Sequence, residues 1–142
     1  MNSIRLVHLA YAVCIAAMTM AGAAAQAYDL TVEVLNARSD KGLVAGALYG
    51  TEASWLKDAL QGERQPAAAR TVLVYRNLPV GPYALSLFHD ENGNGKLDSN
   101  IAGVPTERYG FSRDARGRMS APAFADAAID LRGDMTITVH LR

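Results

Sequence analysis

Apolar side chains return at every second position in several short runs of this chain, and that period belongs to a β-strand whose two faces meet different surroundings. Leu30, Val32 and Val34 alternate with Thr31 and Glu33, and residues 43–49 form a second apolar run closed by Gly50. The turn residues Asn36, Ser39, Asp40 and Gly42 lie between them, which predicts a hairpin. Residues 71–75 and 83–88 read as further strands around the break Asn77, Leu78, Pro79, Val80, Gly81, Pro82, a tight turn that would join neighbouring strands. Near the end, residues 127–131 and 135–141 flank Arg132, Gly133 and Asp134. Met135, Ile137, Val139 and Leu141 share one face there, opposite Thr136, Thr138 and His140, so a closing hairpin is expected.

One segment follows a helical spacing instead. Leu56 and Leu60 stand four apart with Trp55 beside them, between a cap at Thr51 and a stop at Gly62. Residues 61–69, polar and alanine-rich around Pro66, read as a connecting loop. Six strands and a single short helix, too little to cover a parallel sheet, predict an all-β fold. The expected architecture is a two-layer antiparallel β-sandwich, with an open barrel as the alternative.

A chain of 142 residues suits one domain. Its first 27 residues have the order of a secretory signal: Arg5, an apolar stretch over residues 6–20, then the small residues of 21–27. Two Ala-x-Ala sites place the cut after Ala25 or Ala27, leaving a single domain over 28–142. The apolar stretch falls short of the roughly 20 residues that span a bilayer, and Val13 before Cys14 does not suit a lipoprotein cleavage site. The expected product is periplasmic or secreted, without stable membrane insertion. It has no cysteine, hence neither a disulfide nor a thiolate site. Of 14 basic and 14 acidic residues the signal removes only Arg5, so the remainder is nearly neutral, and no basic run points to nucleic acid.

Residues 90–124 break the strand rhythm: 35 positions with little strand signal, far beyond an ordinary loop. They open with DENGNGKLD, which is D-x-N-x-N-G-x-x-D. Oxygen-bearing side chains at Asp90, Asn92, Asn94 and Asp98, spaced by two, can point at one centre in a curled loop. Gly95 permits the sharp turn, and the carbonyl of Lys96 adds another oxygen. Calcium takes such a shell of hard ligands. The pattern fails at the twelfth position of an EF-hand loop, where Ile101 stands in place of glutamate, and residues 83–89 read as strand. A calcium loop grafted on a β-domain is therefore expected, with Glu107 as the candidate for the missing carboxylate. The competing reading is a bare turn, since Asn92-Gly93 and Asn94-Gly95 are both hairpin signals. Asp90, Glu91 and Asp98 crowded in one loop repel without a cation, which favours the ion.

Other side chains carry weaker signals. His89 beside Asp90 could serve as ligand or base, though a lone histidine at a strand end more often has a structural role. Ser112 and Ser120 have no recognisable base or oxyanion partner. Arg108, Arg113, Arg116 and Arg118 read as a solvated basic loop, Trp55 and Tyr75 as core, and His140 as solvent-facing.

The strings KGLVAGALYG, NLPVGPYALSLFHDENGNGKLD, GVPTERYGFS and APAFADAAIDL resemble a family of secreted bacterial proteins known as domain of unknown function 2141. That resemblance implies an exported location and brings no reaction with it. LPVGPYALSLFHD is similar, more loosely, to the turn and strand of transthyretin-like and collagen-adhesin B-type modules, which implies a prealbumin-like sandwich and a structural role for calcium. The functional expectation is a calcium-stabilised binding or structural module that meets an unknown protein or envelope partner. Two alternatives stand beside it: a ligand-binding protein or enzyme using residues 89–112 as a pocket, with His89, Glu107, Arg108 and Tyr109, and a metal-free interaction domain.

Overall fold

The computed structural model describes residues 26–142, and the expected signal lies outside them apart from Gln26 and Ala27. Two sheets face each other. The first runs β4 (Arg70–Pro79), β1 (Ala27–Leu35), β8 (Met135–His140). The second runs β3 (Gln61–Pro66), β2 (Leu43–Tyr49), β5 (Gly81–Asp90), β6 (Tyr109–Phe111), with β7 (Ile129–Leu131) also on β5. All pairings are antiparallel except β1 with β8, which is parallel. The all-β sandwich is thus the observed fold.

Alternation decides which side chains go inside. Leu30, Val32 and Val34 of β1, Leu73 and Tyr75 of β4, and Val139 of β8 meet Val44 and Leu48 of β2 and Leu85 and Leu87 of β5 in one buried cluster. Each aliphatic side chain removed from water in this way contributes about 1.5–3 kcal/mol before chain entropy is counted. A second cluster lies on the outer face of the second sheet, where Tyr49, Ala84 and Phe111 are covered by Phe124 and Ala127 of the single-turn helix α1 (Phe124–Ala127) and by Trp55. The Trp55 ring meets Tyr49 edge-on at 5.1 Å, and its Nε1 donates to the Pro122 carbonyl at 2.9 Å.

Three expected hairpins are corrected. β1 and β2 lie in different sheets, as do β4 and β5, and β7 pairs with β5 while β8 pairs with β1. The break at Asn77, whose φ is 57°, carries the chain from one sheet to the other. There are eight strands among the described residues rather than six. The expected helix at residues 51–60 is a series of turns: Thr51 Oγ1 does accept the Ser54 N–H as a cap would, but Leu56 has φ 58° and, like Leu60, is exposed. Left-handed backbone at Leu56 ends the helical ladder, and only Trp55 has an apolar surface to cover. Residues 61–69 are also misread as loop, for Gln61–Pro66 is the edge strand β3, held by β2 despite its polar sequence.

The 3-10 turn Ser112–Asp114 after β6 is tied to β8. Asp114 accepts the His140 N–H and approaches its ring Nδ1, both at 2.8 Å. Burial pushes the Asp114 carboxyl up, but the two His140 hydrogen bonds and the charges of His140 and Arg142 outweigh it and hold the group below its ordinary 3.8. A depressed carboxylate contributes stability that is present above its unfolded value and is lost as pH falls through the folded one. Urea unfolding followed from neutral pH down to about pH 3 is expected to show a steeper acid loss in the parent than in Asp114→Asn; equal slopes would remove Asp114 as a contributor.

Gly46 shows how tightly the sandwich closes. A Cβ there would lie 2.4 Å from the Tyr75 hydroxyl and 2.8 Å from Leu73 Cδ1. That hydroxyl is buried and has no hydrogen-bond partner. Burial, then the charges of Glu63 and Tyr49, push its pKa up. We expect Gly46→Ala to cost about 1–3 kcal/mol through overpacking. Tyr75→Phe removes an unpartnered polar group and is expected to be neutral or to stabilise by about 1 kcal/mol. Equilibrium unfolding checks both, and a marked loss in Tyr75→Phe would show that the hydroxyl is engaged.

Candidate functional site

β5 ends at Asp90, opposite Leu43 of β2, and β6 returns along its other edge with Phe88 against Tyr109. The His89 N–H donates to the Arg108 carbonyl at 2.8 Å, so the antiparallel course continues past β6 and brings Glu107 alongside Asp90 and Glu91. Residues 91–106 are therefore the connection of a long hairpin. Two acids brought together at the end of one sheet repel unless each is neutralised.

Backbone N–H groups do that work. Asp90, only 3% exposed, accepts from Asn94 N on Oδ1 at 3.0 Å and from Gly95 N on Oδ2 at 2.8 Å. Glu107, 8% exposed, accepts from Glu91 N on Oε1 at 2.9 Å and from Asp98 N on Oε2 at 3.0 Å. One carboxylate thus clasps both ends of the loop. Inside it, Asn92 Oδ1 accepts from Asn94 N and Asn94 Oδ1 from Lys96 N, two successive side-chain turns. The amides Asn92 Nδ2 and Asn94 Nδ2 both donate to Asp98, at 2.5 and 2.8 Å. All six sequence-predicted positions, Asp90, Asn92, Asn94, Lys96, Asp98 and Glu107, lie in this one hydrogen-bonded knot. Among the described residues, no group of three or more His, Cys, Asp and Glu side chains is placed to hold a metal ion.

A small second hairpin follows. Thr106 N donates to the Asp98 carbonyl, Ser99 bridges Pro105, and Asn100 Oδ1 caps the N–H groups of Ala102 and Val104. Ile101, which ended the EF-hand match, is fully exposed at its tip. The role of Asn100 was not read from the sequence, although Asn followed by Gly103 is a turn signal that could have pointed to it.

His89 is structural. It is 1% exposed, its Nδ1 accepts the Arg38 N–H at 3.1 Å, and its Nε2 lies 2.7 Å from the Lys41 carbonyl. Since Nδ1 is an acceptor, the ring proton sits on Nε2 and is donated to that carbonyl. The ring thereby staples residues 36–42 to the end of β5. Gly42 is needed at the same seam: its φ is 70°, and a Cβ would lie 2.0 Å from the Asp90 carbonyl oxygen. Arg108 Nη1 donates to Asn36 O, Arg38 Nη2 to Thr106 O, and Ser39 Oγ to Glu91 at 2.6 Å. The Ser39 hydrogen bond leads the causes that hold the Glu91 carboxyl below its usual value. Ser112 is likewise internal, accepting from Leu85 N and donating to Ala127 O.

Two open grooves bear on the pocket expected from residues 89–112. One open groove is lined by residues of β3 and β4, and a second by Ala45, Ala47, Tyr49, Ser86, Phe88 and Gly95 among others. Neither is lined by His89, Glu107, Arg108 or Tyr109. No helix among the described residues is long and apolar enough to cross a membrane.

The model of a family described as "Uncharacterized protein conserved in bacteria (DUF2141)" matches residues 32–139. No curated protein and no solved structure matches the chain.

The clasp makes its own stability prediction. Asp90→Ala leaves the Gly95 N–H without an acceptor and the Asn94 N–H with Asn92 Oδ1 alone, and, measured in EDTA, is expected to cost about 2 kcal/mol. Glu107→Gln keeps one acceptor oxygen and should cost about half as much. Urea midpoints within error of the parent for both would show that the loop does not need these carboxylates.

Proposed function

We propose that this chain, which belongs to the DUF2141 family, is an exported structural or binding module whose 90–98 loop takes up one calcium ion. The observation that supports this reading most directly is that Asp90 and Glu107, two buried carboxylates, share one hydrogen-bonded knot with Asp98, Asn92 and Asn94. Such a set holds three carboxylates, two amide oxygens and the Lys96 carbonyl, the hard-oxygen chemistry that calcium takes. Each Asn Oδ1 uses one lone pair on a backbone N–H and keeps a second. Asp98 is the group that must turn, giving up the Asn92 and Asn94 amides in favour of a cation. The ion's role is mechanical: it neutralises facing acids and stiffens the β5–β6 connection. The likeness to transthyretin-like modules is part of the same proposal, as is a periplasmic or extracellular location, where calcium is plentiful and a Kd on the order of 10⁻⁴ to 10⁻³ M suffices.

Titration calorimetry and melting curves test it. At free calcium about ten times Kd the fold is expected to gain about 1.4 kcal/mol. Asp98→Asn should abolish that gain while leaving stability in EDTA within about 1 kcal/mol of the parent. No binding heat up to several times the expected Kd, with melting indifferent to EDTA, would leave the metal-free interaction domain as the reading.

A further inference from the structure

The sandwich is open along one side, where the edge strands of its two sheets, β3 and β4, face each other without pairing. A groove of about 310 Å³ lies there, lined by Gln61, Glu63 and Gln65 from β3 and by Val72, Val74 and Arg76 from β4. Gln61 Nε2 donates across it to the Arg76 carbonyl at 3.0 Å, and at its closed end Thr71 Oγ1 donates to the Pro66 carbonyl at 3.4 Å.

An unpaired strand edge invites another strand, and proteins guard their edges with charge, proline, bulges or brevity. Three edges here are guarded. β3 carries Glu63 and Arg64 and ends in Pro66; β6 is three residues long; β8 is tied by Asp114 at His140 and, just beyond it, by the paired backbones of Tyr109 and Arg142. β4 is different. It is ten residues long, its middle is Thr71, Val72, Leu73, Val74, Tyr75, and Val72 is 40% exposed. Half of the N–H and C=O groups in that middle point away from β1, as in any strand paired on one side.

The charges in the groove select what could fill it. Arg76 is held by Asp29 at 3.0 Å, and Arg70 at the far end of β4 is held by Glu33. The Glu63 side chain has no hydrogen bond or ion pair among the described residues, so it carries the groove's uncompensated charge. We infer that β4 is a strand-addition site for an extended peptide that pairs with the backbone of Thr71–Tyr75, sets apolar residues beside Val72 and Val74, and turns a lysine or arginine toward Glu63. Alternation makes these demands compatible, because the cation and the apolar residues fall on opposite faces of the incoming strand. The site uses other elements than the 90–98 loop and stands whether or not that loop binds calcium.

The probe is a synthetic peptide, acetylated and amidated, in which valine alternates with threonine and the central threonine is replaced by lysine. Added to the ¹⁵N-labelled protein in EDTA, it is expected to shift the amides of residues 71–76. Replacing its lysine by glutamate should weaken binding about five- to tenfold, and methylating its alternate backbone nitrogens should abolish it. Glu63→Gln, half-buried on the polar edge strand β3, should keep binding and lose the preference for lysine. No shift at residues 71–76 up to millimolar peptide, or equal binding of the methylated peptide, overturns the inference. So does a dimer in sedimentation that Val72→Lys dissolves, since the edge would then be taken by a second copy.

Discussion

Burial of alternate residues of β1 against strands on both sides ties the beginning of the described chain to its end. Leu30, Val32 and Val34 are at most 1% exposed, and their strand runs antiparallel to β4 and parallel to β8. A parallel partner cannot be reached by a tight turn. The chain must leave the first sheet, build the second and come back in the original direction. That requirement explains why successive strands so often lie in opposite sheets. It also explains why the long stretch between β5 and β8 lies over the second sheet, filling it out with β6, β7 and the turns that cover Tyr49 and Ala84.

Much of this was legible in the sequence and part of it was not, for reasons that can be named. The strands β1, β2, β4, β5 and β8 announce themselves because each has one face in a common core, and burial imposes the period of two. Their partners are not announced. Adjacent strands usually pair, and here the parallel β1–β8 pairing overrides that default, so three expected hairpins are crossings between sheets. β3 is invisible to periodicity because an edge strand of Gln, Gly, Glu, Arg, Gln and Pro owes its shape to the backbone of β2 and not to burial of its own side chains. The helix expected around Trp55 fails for the reverse reason. The local signals were present, including a working cap at Thr51, but Leu56 and Leu60 have nothing to bury against.

The irregular segment is where sequence spacing and strand geometry meet. The spacing of Asp90, Asn92, Asn94 and Asp98 identifies a curled loop, and the side-chain turns observed there follow from it directly. Glu107 was reached only by its position downstream. Its placement has a stronger cause: the pairing of β5 with β6, extended by the His89 to Arg108 hydrogen bond, delivers it beside Asp90 and Glu91. His89 in turn holds residues 36–42 against the same seam. What looked in the sequence like a lone titratable group beside an acid is a buried clasp whose donor and acceptor roles are both taken.

The same geometry bears on how tightly any cation could be held. Four backbone N–H groups, from Glu91, Asn94, Gly95 and Asp98, already point at the carboxylates of Asp90 and Glu107. They lower the cost of bringing two acids together, so the loop can close by itself. They also occupy lone pairs and supply positive density that a cation would otherwise provide alone. A loop so prepared gains less from an ion than one that is disordered without it, because less repulsion remains to be relieved and fewer oxygens are fully free. The exchange then reduces to Asp98, whose two donors are exposed side-chain amides and not backbone N–H groups. A cation that replaced them would stiffen the connection between β5 and β6 without reshaping the sheets on either side, as the mechanical role proposed for it requires.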